Sequence, residues 1–272
     1  MRRAVSALQG ATIALCLALA AGAPPARAGT PCEAVASSAA TMQQSIALAR
    51  KVADTLEASG SSVAIVARVG QDLSKYKLRF SHLGFVVRDH PEGRWTVLHD
   101  LNQCGTDQAA LYVQGLGNFF ADDLFAYEAA IFVLPAELQQ RLGKSLLSAT
   151  QLKRFHEAKY NVVAYPFNTM YQNSNQWALE IMAAAMAPEG DVASRAEAQK
   201  WLKEAAYEPS LLNIPSLTRL GGRMFKVNVA FDDHPGEFRW SDRIYVVSVD
   251  SVFDFLRKRY PQESRRILVD LD

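Results

Sequence analysis

Apolar residues recur along the chain at two spacings, one typical of helices and one typical of strands. Across residues 34–58 they alternate steps of four and three from Met42 to Leu56, which predicts a helix that ends at Gly60. Residues 175–186 are rich in Ala, Leu, Met and Glu, which also favour a helix. Further helices are predicted over residues 135–147, 194–206 and 251–259.

Short runs of β-branched and aromatic residues predict strands. The strongest two, 83–88 and 95–100, are separated by residues 89–94, whose Pro and Gly are typical of a hairpin turn. Residues 109–120 fit either type of element. Further strands are predicted over residues 61–69, 128–134, 160–164, 224–231 and 243–249. The pattern indicates an α+β fold with an antiparallel sheet and helical elaborations.

The first 28 residues have the three parts of a secretory signal peptide. Arg2 and Arg3 are followed by an apolar run over residues 11–21, and small residues then lead to a cleavage site after Ala28. The apolar run is too short for a stable membrane anchor. We therefore expect a periplasmic or secreted protein that consists of a single domain over residues 29–272.

The charge of the exported chain is close to neutral. The predicted signal contains three of the 29 basic residues and none of the 28 acidic ones, which leaves 26 basic and 28 acidic residues. No basic stripe interrupts this balance, so the sequence gives no indication of nucleic-acid binding. The expected partner is instead an envelope substrate, for which a cell-wall peptide and a lipid ester are the obvious classes.

Two cysteines, Cys32 and Cys104, remain after removal of the signal. Disulfides persist in exported proteins, and an even pair of cysteines there favours a bridge. A cysteine nucleophile is the alternative, but neither residue opens a clear helix or has a base beside it in the sequence. We predict a Cys32–Cys104 disulfide.

Three positions combine reactive side chains with a setting that would orient them. His82 begins the strand at 83–88, His99 lies near the end of the next strand, and Ser174 lies at the N-cap or in the first turn of the helix at 175–186. A hairpin would bring the two histidines together. Free N–H groups at a helix N-terminus stabilise developing negative charge beside Ser174.

This arrangement has the parts that a serine nucleophile needs. A hydroxyl requires a base, and the base works best when a third group fixes its tautomer. Ser174 would be the nucleophile, His82 the base and His99 its orienting partner. Asparagine and glutamine side chains near these positions are candidates for substrate contacts or for capping turns: Asn102, Asn173, Asn175 and Gln176.

The motifs resemble the permuted papain-like superfamily, which includes lecithin:retinol acyltransferase and bacterial permuted NlpC-type hydrolases. His82-Leu83-Gly84-Phe85 is similar to the first element, His99 to the second, and residues 173–177 to the helix that carries the nucleophile. The resemblance implies an NlpC-type domain that hydrolyses or transfers an acyl group. It also implies a cysteine at the position of Ser174.

Nearly all of the predicted domain also resembles domain-of-unknown-function family 2145. The similar segments are 81–85, 99–102, 171–177 and 231–235. This resemblance implies a fold and no substrate. Because serine replaces the cysteine, a silent binding module on the same fold is an alternative to an enzyme.

A metal-binding protein that uses His82, His99 and His234 is a third possibility, because imidazoles and carboxylates are good metal ligands. His234 follows Asp232 and Asp233 directly, and adjacent residues in an extended chain point to opposite faces. The Pro235-Gly236 pair predicts a turn here. No metal ligands and no cofactor are therefore assigned.

Overall fold

The computed structural model describes residues 38–121, 124–215, 227–239 and 241–271. The predicted signal peptide and Cys32 lie outside these residues. Cys104 is disulfide-bonded, but the predicted pairing with Cys32 stays a prediction. No helix in the described part of the chain is both long enough and apolar enough to cross a membrane.

The described chain contains runs of consecutive strands and runs of consecutive helices, and a six-stranded antiparallel sheet lies at its centre. The strands are β1 (Val63–Val69), β2 (His82–His90), β3 (Gly93–Asn102), β4 (Ala109–Gly115), β5 (Ala126–Val133), β6 (Ser210–Asn213), β7 (Arg243–Val246) and β8 (Arg265–Asp270). The helices are α1 (Ala39–Ser59), α2 (Leu116–Phe120), α3 (Ala136–Leu146), α4 (Ala149–Arg154), α5 (Ser174–Met186), α6 (Arg195–Glu204), α7 (Gly236–Arg239) and α8 (Val249–Arg259).

The large sheet has the strand order β4-β3-β2-β1-β5-β8, and β6 and β7 form a separate two-stranded sheet. Every residue of β1 is buried, because helices cover both faces of the large sheet. Ile65 and Ala67 face a core that includes Trp177 of α5, whereas Ala64 and Val66 face a second core that includes α1 and α2. This alternation follows from the two-residue period of a strand. The α+β prediction with an antiparallel sheet is confirmed.

Several predicted elements match closely, and the ambiguous segment 109–120 contains both types. It runs as strand β4 and then as helix α2, with the change at Gly115. The predicted hairpin between 83–88 and 95–100 is also present. The predicted strand at 243–249 ends at Val246, because Ser248 caps α8 in a reciprocal pair with Ser251.

The strand predicted at 160–164 is wrong. Tyr160 makes a single bridge to Gln172, and the chain then turns. The side chain of Asn161 explains the turn, since its Oδ1 accepts the N–H of Val163 at 3.2 Å. The described part of the predicted strand 224–231 is also turn and coil.

Candidate active site

His82 and His99 lie on neighbouring strands and point to the same face of the large sheet. The register of β2 and β3 pairs Phe85 with Leu98, so position 84 lies opposite His99 and His82 is its diagonal neighbour. Nε2 of His82 lies 2.8 Å from Nδ1 of His99. The predicted proximity of the two histidines is confirmed.

Gly84 allows this close approach. A Cβ atom at position 84 would lie 2.8 Å from Cγ1 of Val97 and 3.1 Å from Cβ of His99. Real Cβ atoms do not approach other atoms as closely as 2.8 Å, so any larger residue would push β3 or the His99 side chain away. The glycine two residues after His82 therefore has a steric reason within the site.

Ser174 is the first residue of α5 and meets His82 at the start of β2. The Ser174 hydroxyl lies 3.2 Å from Nδ1 of His82. Asn173, and not Ser174, caps the helix, because its Oδ1 accepts the N–H of Gln176 at 2.8 Å. The Ser174 hydroxyl is thus not occupied by capping, and the N–H groups of Ser174 and Asn175 lie outside the hydrogen-bond ladder of the helix.

The side chain of Asn175 holds the start of α5 against the sheet. Its Oδ1 accepts the N–H of Leu83 at 3.2 Å, and Leu83 follows His82 directly. This bond fixes the position of the helix N-terminus relative to His82. Asn175 therefore positions Ser174 in addition to any contact with a substrate.

Two further side chains belong to the site, and sequence reasoning missed both. Tyr160 is buried beside Ser174, and burial raises the pKa of its hydroxyl. At the other end, the Gln114 amide Nε2 lies 2.9 Å from Nε2 of His99. The hydrogen-bond chain therefore runs Ser174, His82, His99, Gln114.

Gln114 was detectable in principle from the strand period. Tyr112 pairs directly with His99 across β3 and β4, and Gln114, two residues later, must face the same side. Residues 109–120 were ambiguous in the sequence, so neither the period nor the register could be assigned. The place of Tyr160 in the site could not be predicted, because the sequence predicts a strand for its segment.

The direction of the hydrogen bonds depends on the Gln114 amide. When its –NH2 group donates to Nε2 of His99, Nδ1 of His99 donates to Nε2 of His82. Nδ1 of His82 is then a donor towards Ser174. When the amide is rotated by 180°, its oxygen accepts from His99 and Nδ1 of His82 becomes an acceptor. Only the second direction lets His82 take the proton of Ser174.

Both imidazoles are deeply buried, with 6% of His82 and none of His99 exposed. Burial lowers the pKa of His82 well below its ordinary value of 6.5, helped by the nearby charge of Arg68 on β1 and by His99. Burial and Arg68 lower the pKa of His99 to about 3. The ring of Phe119 packs 5.8 Å from His82 and 5.2 Å from His99 and excludes water from both. The pair is therefore neutral at neutral pH.

A buried ionic network surrounds Glu180 of α5. Glu180 is fully buried, and its carboxylate accepts from Arg195 at 2.8 Å and from Gln172 and Gln199 at 2.7 Å each. Arg195 also donates to the backbone carbonyl of Tyr171 at 2.9 Å. The network thereby anchors the segment that leads into Ser174.

Two of the predicted substrate contacts point elsewhere. The Gln176 amide is 1% exposed and donates to Glu180 and to the carbonyl of Pro166. The Asn102 amide donates to the carbonyls of Thr106 and Gln108 and closes a turn. Asn173 and Asn175 instead line a cleft beside Ser174.

The metal site that would combine His82, His99 and His234 does not form. His234 contacts Asp233 at 2.9 Å and packs against the rings of Tyr165 and Phe231. Among the described residues, no three His, Cys, Asp or Glu side chains are grouped so that they could hold a metal ion. Residues 232–234 form the predicted turn, in which Asp233 also accepts the N–H of Tyr165 at 2.7 Å.

Comparison with known families matches residues 55–256 to one described as "Uncharacterized protein conserved in bacteria (DUF2145)". The match spans well over half of the 272 residues. It includes the four residues of the hydrogen-bond chain, His82, His99, Gln114 and Ser174. No curated protein and no solved structure matches the chain. The chain therefore belongs to the DUF2145 family of bacterial proteins.

Proposed function

We propose that this protein is an exported hydrolase or acyltransferase that cleaves an amide or ester bond, with Ser174 as the nucleophile. His82 is the base and His99 its orienting partner, on a fold of the permuted papain-like, NlpC type. The observation that carries the proposal is the Ser174–His82–His99 chain, with contacts of 3.2 and 2.8 Å at the start of a helix.

The first half of the reaction forms an acyl-enzyme. Ser174 Oγ attacks the carbonyl carbon of the substrate while its proton passes to Nδ1 of His82. The negative charge that develops on the carbonyl oxygen lies beside the N–H groups at the start of α5. His82 then gives the proton to the departing alcohol or amine, and the acyl group stays on Ser174.

The second half reverses these roles. His82 takes a proton from an incoming water, alcohol or amine, which attacks the acyl carbon. The proton then returns to Ser174 as its bond to the acyl group breaks. Water as the acceptor gives hydrolysis, and an alcohol or amine gives acyl transfer.

His99 contributes by fixing the tautomer of His82. When Nδ1 of His99 accepts the N–H at Nε2 of His82, Nδ1 of His82 must carry a lone pair. The low pKa values of the buried imidazoles favour that neutral form. Serine lacks the readily formed anion of a thiol, so this base matters more here than in a cysteine enzyme.

A fluorophosphonate probe tests the proposal, because it reacts with activated serines and not with ordinary ones. We expect labelling of the purified protein at Ser174, found by peptide mass spectrometry, and its loss in Ser174→Ala and His82→Ala. Ser194→Ala is the matched control, since Ser194 caps α6 away from any histidine pair. An unlabelled wild-type protein would favour the silent binding module over the enzyme.

A further inference from the structure

A cleft of about 440 Å³ opens beside Ser174. Its volume lies within the range of small-molecule sites. Asn173, Ser174 and Asn175 line it together with Ser81. The lining thus includes polar groups at the position of the proposed reaction.

Apolar side chains line much of the cleft. The small β6–β7 sheet contributes Leu212 and Val246, and the loops beside it contribute Val163, Ile214 and Phe231. These five residues belong to one buried cluster that is separate from the two cores of the large sheet. The second sheet and the loops beside it therefore provide an apolar wall of the cleft that Ser174 also lines.

Charged residues are nearly absent from the described lining. Asp72 and Lys75 are the two that line it, and both are exposed. A peptide substrate that carries carboxylates or ammonium groups would leave them without partners along the apolar wall, at a high desolvation cost. The lining favours a substrate whose group beside the scissile bond is a hydrocarbon.

We propose that this cleft binds the apolar acyl chain of an ester or amide, whose carbonyl lies at Ser174. The inference rests on the proposed function and selects a lipid-like acyl group over a cell-wall peptide. The acyl part is the half that stays bonded to Ser174 after the leaving group departs, so it is the half that needs a pocket continuous with that residue.

The first test measures turnover of p-nitrophenyl esters from acetate to octanoate. Each added methylene should raise kcat/KM about fourfold until the cleft is full. A flat profile would overturn the inference while leaving a Ser174-dependent esterase intact.

A pair of matched variants tests the location. Val162 lines the cleft and is 42% exposed, whereas Leu211 is 38% exposed and lies outside the lining. Both positions therefore tolerate added bulk. Val162→Trp should lower the ratio of kcat/KM for octanoate to kcat/KM for acetate at least tenfold, and Leu211→Trp should leave that ratio unchanged. Equal effects of the two variants would contradict the assignment.

A binding measurement separates this inference from the reaction itself. Ser174→Ala protein is titrated with N-methyl amides from acetamide to octanamide, and the affinity should rise with chain length by about fourfold per methylene. Affinity that does not change with length would refute the cleft assignment whatever the turnover. Length-dependent binding without any Ser174-dependent turnover would support the cleft and reject the enzyme.

Discussion

Nε2 of His82 lies 2.8 Å from Nδ1 of His99, and both rings are buried beneath Phe119. Two imidazoles at this distance share one hydrogen, so each fixes the tautomer of the other. Such a pair would be repulsive if both rings were protonated. The proposed reaction at Ser174 should therefore depend on pH through the protonation of this pair.

The first prediction concerns stability against pH. In the native protein the pKa values of both histidines lie below 6.5, and that of His99 is lowered to about 3. In the unfolded chain both pKa values are near 6.5. Below pH 6.5 the unfolded chain thus binds more protons, and the free energy of unfolding should fall by about 1.4 kcal/mol per pH unit for each extra proton. Above pH 6.5 these groups should have no effect.

Urea unfolding at pH 7, 6 and 5 measures this slope. Glu180 and Asp100 have raised pKa values through burial and act in the opposite direction at lower pH. Comparison with His82→Gln cancels their contribution, and the slope of the variant should be shallower. Identical slopes in the two proteins would show that His82 is not held neutral by burial.

Gly84→Ala should disturb the site from within the sheet. The added methyl group would overlap Val97 and crowd His99, and overpacking of this kind costs about 1–3 kcal/mol. Gly143→Ala is the control, because its methyl group would make only an ordinary contact of 3.7 Å with Val63. Urea unfolding and fluorophosphonate labelling measure the two effects. Normal labelling in Gly84→Ala would remove the steric account of this glycine.

Much of the fold was predictable from the sequence, because the long helices and the hairpin carry strong periodic patterns. The strands 210–213 and 265–270 were missed, since they are short and lie at a sheet edge or in a two-stranded sheet. Such strands are defined by their partners more than by their own residues. The 160–164 segment failed for a local reason, the side-chain turn at Asn161.

The candidate site was only partly visible in the sequence. Ser174, His82 and His99 stood out because each reactive side chain lies at the end of a recognisable element. Gln114 and Tyr160 are ordinary residue types, and only the sheet register and a loop bring them to the site. Gln176 was misplaced because it lies two residues after Ser174, about 200° around the helix, and therefore points away from the cleft into the Glu180 network.

Arg195→Ala should be strongly destabilising. The change leaves the buried Glu180 carboxylate without its cation, and loss of one partner from a buried ion pair costs about 3–5 kcal/mol. Arg257→Ala breaks a pair whose side chains are 67% and 59% exposed and should cost less than about 1 kcal/mol. The free energies of unfolding in urea give both values. Equal costs would mean that the network does not anchor α5.

Gln114 should determine which atoms donate and which accept along the hydrogen-bond chain. Gln114→Glu offers His99 only acceptor oxygens, so it should retain Ser174 labelling and shift its pH profile, because the carboxylate raises the pKa of His99. Gln114→Leu removes the partner and should slow labelling about tenfold with little change in stability. If both variants label at the wild-type rate, Gln114 has no positioning role.

The most direct measurement of the central claim is the alkylation rate of a thiol at position 174. Ser174→Cys places a thiol at a helix N-terminus beside His82, where thiolates form readily. We predict rapid reaction with iodoacetamide and at least a tenfold loss of rate when His82→Ala is added. Ser194→Cys, at a helix N-terminus without the histidine pair, should react more slowly and be unaffected by His82→Ala. A thiol at position 174 that is unreactive, or whose rate does not depend on His82, would contradict the account.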